Sequence, residues 1–368
     1  MRPIDLSVTG LRGIPGVMGG VESHCEELLP RVAALAPDLR IEAVGRRAFL
    51  PTSPYDYRGV RVVGVPAPSG ASTEAIVSTF LAVLRAARRS RAVHIHAIGP
   101  ALMAPLARGL GLRVVMTHHG DDYDRAKWGG FAKAMLRLGE RLGVGCAHQV
   151  IAVAPTLAER LKRQFPKRAD RIRYIPNGAP ELPPDRSSAE VLADFGLDPK
   201  GYILAIGRLV PEKGFDQLIR AFRESRDPRK LVIVGSDIHG SPFSRELLRQ
   251  ADDQVRFLGA QPRSVLRRLY EQADLFVLPS LHEGLPISAL EAAACGTPML
   301  LSDIVPNRDL GLDERNYFPA GNERALALAL SRRSSEYAYD VDRMRESFDW
   351  NRIAERTLEV YRDALGGG

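Results

Sequence analysis

The sequence predicts an α/β protein with two doubly wound parallel sheets, because short apolar strand candidates alternate with helix candidates along all 368 residues. Several candidates are continuous apolar runs with β-branched residues, as expected for strands that helices cover on both faces. The length also suits two domains of about 150 residues each. The strand candidates are IDLSVTG, IEAVG, VRVVGV, AVHIHAI, RVVMTHH and QVIAVA in the first half, and YILAIG, KLVIVG, VRFLG, LFVLPS and PMLLSD in the second.

A linker candidate separates the two series of strands. Residues 176–188 are rich in proline, serine and charge and have no periodicity, which is typical of an interdomain segment. We therefore predict an N-terminal domain over residues 1–180 and a C-terminal domain over residues 181–348. Residues 349–368 have the apolar periodicity of an amphipathic helix. We expect this helix to pack back on the N-terminal domain.

Composition excludes several classes of protein. A hydrophobic fraction of 45% and a charged fraction of 26% are ordinary for a folded globular chain. Cys25, Cys146 and Cys295 are widely spaced and odd in number, which argues against a disulfide framework or a structural zinc site. The first strand candidate leaves no room for a signal peptide, and the most apolar window, residues 142–158, is too short and too polar for a membrane span. We expect a cytoplasmic protein.

Positive charge is concentrated in the N-terminal half. Residues 1–180 contain 26 basic and 14 acidic side chains, a net charge of +12, whereas the rest of the chain has a net charge of −5. The basic residues cluster in helix-like stretches at 81–91 and 132–142, without interleaved aromatic residues. This pattern disfavours nucleic-acid binding. It suits either peripheral contact with an anionic membrane or a solvated, arginine-rich helix face.

The strongest functional signal is LPSLHEGLPISALEAAACGTPMLLSD, residues 278–303. Glu283 follows an apolar strand, Pro286 suits the first turn of a helix that should stop at Gly296, and Glu291 lies along that helix. Ligands bind at this edge of open α/β sheets. The spacing suits two sets of hydroxyls on one elongated ligand, with a phosphate at the helix start. The alternative is a pair of ordinary surface carboxylates.

A second signal is ILAIGRLVPEKGFDQLIRAF, residues 203–222. Gly207 permits a tight turn after a buried strand, and Arg208 and Lys213 follow in a proline-containing loop. A guanidinium and an ammonium at a strand's carboxyl edge can hold both phosphates of a diphosphate. The alternative is a solvated loop in which Glu212 pairs with the cations.

A third signal is the glycine-rich loop TGLRGIPGVMGGVESHCEEL, residues 9–28. Gly19 and Gly20 would let the backbone approach a phosphate or a sugar. The loop contains no strict GxGxxG, so a dinucleotide site is weakly supported. Arg46 and Arg47 after the second strand leave an NADP-dependent oxidoreductase open as an alternative.

A fourth signal combines HIHAIGPAL with VVMTHHGDDYDRAKW, in which imidazoles and carboxylates end two predicted strands. We predict polar recognition by His119 and its acidic neighbours, and core packing for His94. The DxD at Asp122 to Asp124 and the histidines are of low specificity for metal, so no metal site is predicted. The residues concerned are His94, His96, His118, His119, Asp121, Asp122 and Asp124.

Together these segments resemble a known family. The chain resembles the retaining nucleotide-sugar glycosyltransferases of family four. The segments that carry the resemblance are GLRGIPGVMGGVE, YIPNG, GRLVPEKGFDQLI, EGLPISALE and CGTPMLLSD, in chain order. That family has the GT-B fold, in which two Rossmann-like domains face a cleft. The resemblance covers nearly the whole chain. The stretch THHGDDYDRAKWGGFAKAMLRLGE is similar to a subgroup that builds bacterial polysaccharides and includes rhamnosyl and mannosyl transferases.

The resemblance implies a role for each matching residue. Arg208 and Lys213 would neutralise the donor diphosphate, Glu291 would bind the ribose hydroxyls, and His119 would contact the sugar near its anomeric carbon. Gln261 and Arg263 stand where many relatives have an acid that reads guanine, which argues against GDP; the donor nucleotide is UDP, dTDP or GDP. The further implied substrate contacts are Glu283 with Gly284 and Leu285 at the sugar, Leu258 and Gln261 at the base, Gly207 beside the phosphates, and Gly19, Gly20 and Asp122 on the acceptor side.

The resemblance also implies same-face attack with retention, no metal or other cofactor, and a glycan or lipid-linked acceptor at the inner face of the cell membrane in cell-surface polysaccharide synthesis. A nucleotide-sugar epimerase of the same fold is an alternative, and an NADP-dependent oxidoreductase is a weaker one.

Overall fold

The structure is a computed structural model that describes residues 3–17, 19–51, 54–68, 73–120, 129–179, 182, 186–236, 240–284 and 286–366. The chain divides into two compact units. Unit 1 comprises Met1–Gly178 together with Asp349–Gly368, and unit 2 comprises Ala179–Phe348. The predicted boundary follows residue 180, and the last segment is predicted to pack with the N-terminal domain. That the N-terminal domain binds the acceptor and the C-terminal domain binds the nucleotide sugar stays a prediction.

Unit 1 is built on a sheet that has eight strands within the described residues. The predicted strands form, and the sheet also contains two short strands, at 55–57 and 172–174, that the sequence did not predict. The strands are β1 (Ile4–Thr9), β2 (Ile41–Arg46), β3 (Tyr55–Tyr57), β4 (Val60–Val65), β5 (Ser90–His96), β6 (Arg113–His118), β7 (Gln149–Ala152) and β8 (Ile172–Tyr174).

The order of this sheet is β3-β4-β2-β1-β5-β6-β7-β8. All pairings are parallel except that of β3 with β4, which is antiparallel, so the expectation of purely parallel strands is wrong at this edge. A two-residue connection at Arg58 and Gly59 allows only an antiparallel hairpin. The helices that cover the sheet are α1 (Gly20–Leu35), α2 (Thr73–Arg89), α3 (Ala104–Gly109), α4 (Gly130–Cys146) and α5 (Pro155–Gln164).

Unit 2 contains a second sheet, six-stranded within the described part of the chain and parallel throughout. Its strands are β9 (Tyr202–Ile206), β10 (Lys230–Val234), β11 (Val255–Phe257), β12 (Leu275–Leu278), β13 (Met299–Ser302) and β14 (Tyr317–Phe318), in the order β11-β10-β9-β12-β13-β14. Its helices are α6 (Ser188–Phe195), α7 (Phe215–Ser225), α8 (Pro242–Leu248), α9 (Arg263–Gln272), α10 (Ile287–Cys295), α11 (Val305–Arg308), α12 (Glu323–Leu330) and α13 (Val341–Ser347).

The strands of unit 2 are buried on both faces because helices pack against each side. Tyr202, Leu204 and Phe276 contribute to one apolar cluster, whereas Ile203 and Leu275 contribute to the cluster on the opposite face. This alternation along each strand is the period of two expected for β structure.

The last helix, α14 (Trp350–Gly366), belongs to unit 1. Trp350, Ile353, Leu358 and Tyr361 lie at helical spacing on its buried face and join the same apolar cluster as Leu28 of α1. None of the helices in the described part of the chain is both long and apolar enough to cross a membrane.

Candidate functional site

Three residues that are predicted to bind the sugar donor, Arg208, Lys213 and Glu283, lie in loops at one edge of the unit 2 sheet. Because β9 and β12 are neighbouring parallel strands, the loops that follow them emerge at the same edge. Gly214 links the two loops: its φ of 65° is left-handed, and a Cβ there would stand 2.5 Å from the carbonyl oxygen of Pro279. A side chain at position 214 would therefore push the loop after β9 away from the loop after β12.

Lys213 and Glu283 form an ion pair across these two loops. The Lys213 Nζ donates to Glu283 Oε1 at 2.5 Å, and the Ser280 hydroxyl donates to the same oxygen at 2.6 Å. The side chains of Lys213 and Glu283 are only 16% and 8% exposed. The two residues are predicted to contact different parts of the sugar donor, with Glu212 as the alternative partner of the cations. The side chain that pairs with Lys213 is Glu283.

Arg208 differs from Lys213 in its surroundings. It follows Gly207, whose backbone N–H donates to Val234 O at 3.0 Å and so closes the end of β9. The Arg208 side chain is exposed and has no ion-pair partner among the described residues. Its guanidinium is thus available to an anion at this edge.

A chain of hydrogen bonds from α11 and β13 holds the loop that carries Glu283. Asn307 Nδ2 donates to Ser302 O at 2.9 Å, and the Ser302 hydroxyl donates to Ser280 O at 2.5 Å. Ser280 in turn holds Glu283. Ser302 and Asn307 are fully buried and come from β13 and α11, so sequence spacing gave no signal for their role.

Glu291 lies on α10 and is almost buried, with 8% exposure. Burial raises the pKa of its carboxyl group, whereas a hydrogen bond from Tyr270 and the charge of Arg263 lower that pKa. The Tyr270 hydroxyl donates to Glu291 Oε2 at 2.8 Å. Tyr270 belongs to α9 and was not predicted as a site residue. No contact joins Glu291 to the Lys213–Glu283 pair in the described residues.

The remaining unit 2 predictions have mixed outcomes. Pro286 precedes α10 as its N-cap rather than standing in its first turn, and Gly296 ends the helix in the left-handed conformation, as predicted. Gly284 is exposed beside the site, whereas Leu285 lies outside the described residues. Gln261 and Leu258 are half-buried in the turn after β11, where the Gln261 side-chain amide donates to Leu258 O at 2.5 Å.

In unit 1, Gly19 and Gly20 precede and begin α1. A Cβ on Gly19 would stand 2.0 Å from Glu22 Oε2 and 2.3 Å from Arg12 Nη2, whereas a Cβ on Gly20 would meet open space. Glu22 Oε1 accepts from the Arg12 backbone N–H at 2.9 Å and from Arg12 Nε at 3.1 Å. The absence of a side chain at Gly19 therefore allows the half-buried Arg12 to pair with the buried Glu22 and close the glycine loop.

Four imidazoles gather at the carboxyl edge of the unit 1 sheet, and we call His24, His94, His96 and His119 the imidazole cluster. The rings of His94 and His96 lie on one face of β5, with centroids 4.0 Å apart, as strand alternation predicts. His96 Nδ1 is 2.9 Å from His119 Nε2, and the ring of His24 lies 5.1 Å from that of His119. His24, in α1, was not predicted.

The imidazole cluster is held neutral. Burial lowers the pKa of His24 to about 4, and burial together with the neighbouring His24 lowers the pKa of His94 to about 3. Burial and the other rings of the cluster also hold the pKa of His96 and of His119 well below 6.5. His94 is fully buried, with its nitrogens 2.8 Å from the Tyr361 hydroxyl and 2.7 Å from the Thr117 hydroxyl, which fits the predicted core packing.

His118 belongs to a separate network. Its Nδ1 accepts from Gly120 N at 3.2 Å, so its Nε2 carries the proton and donates to Glu140 Oε2 at 2.9 Å. Arg160 Nη2 donates to the same carboxylate oxygen at 2.8 Å. Although burial opposes ionisation, hydrogen bonds from His118 and Arg160 lower the pKa of Glu140 to about 2.

Among the described residues, no group of three or more histidine, cysteine, aspartate or glutamate side chains could hold a metal ion. Asp121, Asp122 and Asp124 lie outside the described residues. The DxD pattern is therefore untested.

Two family models match the chain, one in each unit. Residues 19–178 match the model described as "Glycosyl transferase 4-like domain", and residues 191–344 match "Glycosyl transferases group 1". Together the two matches cover most of the chain.

Curated relatives agree with these models. The chain is 28% identical to alpha-maltose-1-phosphate synthase of Mycolicibacterium smegmatis, over 95% of this chain and 96% of that protein. It is 32% identical to D-inositol 3-phosphate glycosyltransferase of Rhodococcus erythropolis, over 63% of this chain and 57% of that protein. The match thus spans little more than half the length of the second relative.

Solved structures with the same fold include sucrose-phosphate synthase from Thermosynechococcus elongatus, with a TM-score of 0.79, 21% identity, and coverage of 99% of this chain and 100% of that one. HepE from Anabaena in complex with UDP and glucose has a TM-score of 0.73, 17% identity, and coverage of 97% and 98%. With a 4-like domain in unit 1 and a group 1 domain in unit 2, the chain is a glycosyltransferase of the GT-B fold.

Proposed function

We propose that this glycosyltransferase moves a hexose or deoxyhexose from a nucleoside-diphosphate sugar to its acceptor with retention of configuration. The observation that carries the proposal is the exposed Arg208 guanidinium on the same sheet edge as the Lys213–Glu283 pair. A departing nucleoside diphosphate gains negative charge as the glycosidic bond breaks. Fixed cations at that edge lower the barrier by stabilising this charge.

The Lys213–Glu283 pair suits a donor that carries both charge and hydroxyls. The ammonium can bind a phosphate oxygen while the Glu283 carboxylate, still held by Ser280, accepts from a sugar hydroxyl. Glu291 would bind the ribose with the oxygen that Tyr270 leaves for a ligand. Because Arg208 and Lys213 supply the positive charge, the proposal needs no metal and no other cofactor.

In this proposal, the acceptor hydroxyl attacks the anomeric carbon from the face that the diphosphate leaves, so the configuration is retained. An oxygen of the leaving phosphate takes the proton of the acceptor hydroxyl. Among UDP, dTDP and GDP, we favour UDP, because HepE, with the same fold, binds UDP and glucose. The turn after β11 supports this choice, since it has Gln261 and Arg263 rather than an acid that could read guanine.

A donor panel tests the proposal. The protein is incubated with UDP, dTDP and GDP sugars, and donor hydrolysis and thermal stabilisation are measured for each. We expect one nucleotide to raise the unfolding temperature and its sugar to be consumed slowly. Arg208→Ala should slow consumption about 100-fold without unfolding the chain. If no nucleotide sugar stabilised the protein or were consumed, the proposal would be wrong. Conversion of a donor into its epimer without an acceptor would identify an epimerase instead, and tight NADPH binding would favour an oxidoreductase.

For the acceptor, we propose an anionic, polyhydroxylated molecule. Alpha-maltose-1-phosphate synthase, D-inositol 3-phosphate glycosyltransferase and sucrose-phosphate synthase all carry a sugar or inositol phosphate in their names. The net charge of +12 in residues 1–180 favours such a ligand on the N-terminal side.

We favour a lipid-linked acceptor in cell-surface polysaccharide synthesis, with the protein at the inner face of the membrane, and a rhamnosyl or mannosyl transferase as the subgroup. Helix α4 supports contact with an anionic membrane: Phe131 and Leu138 are 83% and 43% exposed, and Arg137 and Arg141 are exposed on the same helix. The other basic stretch, residues 81–91, gives less support for membrane contact, because the Arg85 guanidinium is paired with the buried Glu42.

A flotation assay distinguishes a lipid-linked acceptor at the membrane from a soluble sugar phosphate. Vesicles with and without anionic lipid are mixed with the wild-type protein and with Phe131→Ser/Leu138→Ser at low salt. We expect the wild-type protein to float with anionic vesicles and the Phe131→Ser/Leu138→Ser variant to stay unbound. Leu328→Ser, which removes a 62% exposed side chain from unit 2, is the control and should float like the wild type. Equal failure of all three proteins to float would leave soluble sugar phosphates as the acceptors to test.

A further inference from the structure

We propose that His96 is a positioning residue which, backed by the Cys25 thiol, fixes the ring proton of His119 on Nδ1, so that His119 presents an N–H donor to an oxygen atom of the bound sugar substrate. The proposal rests on the proposed function, because it concerns how His119 meets that substrate. It assigns roles to His96 and Cys25, which neither the sequence nor the family resemblance had placed in the site.

Among the described residues, one nitrogen of His119 has a hydrogen-bond partner, which leaves the other for a ligand. His119 follows β6 and His96 ends β5, the neighbouring strand, so the two rings stack with centroids 5.2 Å apart and planes at 26°. His119 Nε2 is taken up by His96 Nδ1 at 2.9 Å. His119 is half-buried, whereas His96 is fully buried, so His119 is the member of the pair that a substrate can reach.

The direction of this hydrogen bond follows from what lies behind His96. The sulfur of Cys25 is 3.7 Å from His96 Nε2, and both residues are fully buried. Burial and the nearby Glu22 raise the pKa of the Cys25 thiol well above 9, so the sulfur keeps its proton. A protonated thiol can donate as well as accept; the proposal takes the S–H as the donor to His96 Nε2, which leaves the His96 proton on Nδ1.

The chain of donors continues outward. His96 Nδ1–H donates to His119 Nε2, and His119 therefore carries its own proton on Nδ1. The opposite tautomer would present a lone pair and would suit a hydroxyl donor instead. Neutral N–H donors bind hydroxyl and ether oxygens, which sugars supply in number. His119 therefore donates a hydrogen bond to an oxygen atom of the substrate. It acts as a substrate-binding group rather than as a base.

Both rings must be neutral for this chain to exist, and their surroundings keep them so. Titratable groups face the pair from each packed element: His24 and Cys25 from α1, His94 from β5, His118 from β6, and Tyr361 from α14 through His94. Burial is the first cause of the lowered pKa of His96 and His119, and the neighbouring imidazoles lower each pKa further.

The tautomer can be measured without any substrate. Nitrogen-15 spectra of histidine-labelled protein at pH 7 distinguish a protonated Nδ1 from a protonated Nε2, and His119→Asn identifies the His119 signals. We expect wild-type His119 to be protonated on Nδ1, Cys25→Ser to keep that form, and Cys25→Ala to show a mixture. Protonation on Nε2 in the wild type would overturn the proposal, as would an unchanged single tautomer in Cys25→Ala.

Kinetics then separate positioning from mere structural support. His96→Leu removes both hydrogen bonds, whereas the amide of His96→Asn can still donate toward His119. We expect kcat to fall roughly 10- to 100-fold in His96→Leu and to recover at least partly in His96→Asn, since small misplacements of a binding group have effects of this size.

His94 supplies the matched control. It lies two residues earlier on the same face of β5, is equally buried and is fully hydrogen-bonded, but to Tyr361 and Thr117 rather than to His119. His94→Leu should lower stability as much as His96→Leu and leave the His119 tautomer unchanged. If both leucine variants lowered kcat equally, or asparagine at position 96 gave no recovery, the positioning role would be refuted. A donor panel without turnover, by contrast, would refute the proposed function and leave the measured tautomer standing.

Discussion

Replacing Lys213 by alanine should destabilise unit 2 as well as impair catalysis. The substitution leaves the Glu283 carboxylate, whose side chain is 8% exposed, with the Ser280 hydroxyl and no cation. Removing one partner of a buried ion pair typically costs 3–5 kcal/mol. Because the Lys213 side chain is itself 16% exposed, we take the low end, about 3 kcal/mol. For a domain of this size that corresponds to a fall of roughly 6–12 °C in Tm.

The assay is differential scanning calorimetry of the full-length protein, with hydrogen exchange of peptides from β12 and α7 to assign the transition to unit 2. Arg208→Ala is the control, because this exposed cation has no carboxylate partner in the described residues and its loss should leave Tm unchanged. The double variant Lys213→Ala/Glu283→Ala should regain part of the lost stability, since no unpaired charge remains. A Tm within about 1 °C of wild type for Lys213→Ala would show that Glu283 does not depend on Lys213.

Three further outcomes are expected. Arg208→Ala should lower kcat by about 100-fold, the effect of removing one preorganised charge donor, without changing the urea midpoint; full turnover would remove Arg208 from the site. The pKa of His24 falls to about 4 and that of His94 to about 3 on folding. Their contribution to stability is therefore complete above pH 6.5 and is lost as the pH falls toward 4 and then 3. Urea unfolding at pH 7, 6, 5 and 4 should show this decline, and a constant free energy of unfolding would contradict it. Tyr270→Phe removes a hydrogen bond that lowers the pKa of Glu291, so UDP affinity measured by calorimetry should fall about tenfold or more, and unchanged affinity would mean that Glu291 does not bind the ribose.

Much of the fold and part of the site could be predicted from local sequence patterns. The strands that carry the candidate loops are continuous apolar runs, and each one ends at a glycine, a proline or a polar residue that stops it. These patterns therefore predict that Arg208 follows β9 and that Glu283 follows β12. The edge strand β3 was missed because it is three residues long and partly exposed, so it has no clear pattern.

Local patterns of apolar side chains specify strand length and burial, and they therefore predict which residues end parallel strands. Which of those residues meet depends on the packing of the folded chain. Lys213 reaches Glu283 across 70 positions, and His119 reaches His96 across 23, because β9 lies beside β12 and β5 beside β6. Strand order depends on how whole helices and strands pack, and this is not encoded in any single segment. For the same reason Cys25 and Tyr270, from helices distant in sequence, became visible as partners of His96 and Glu291 only in the folded chain.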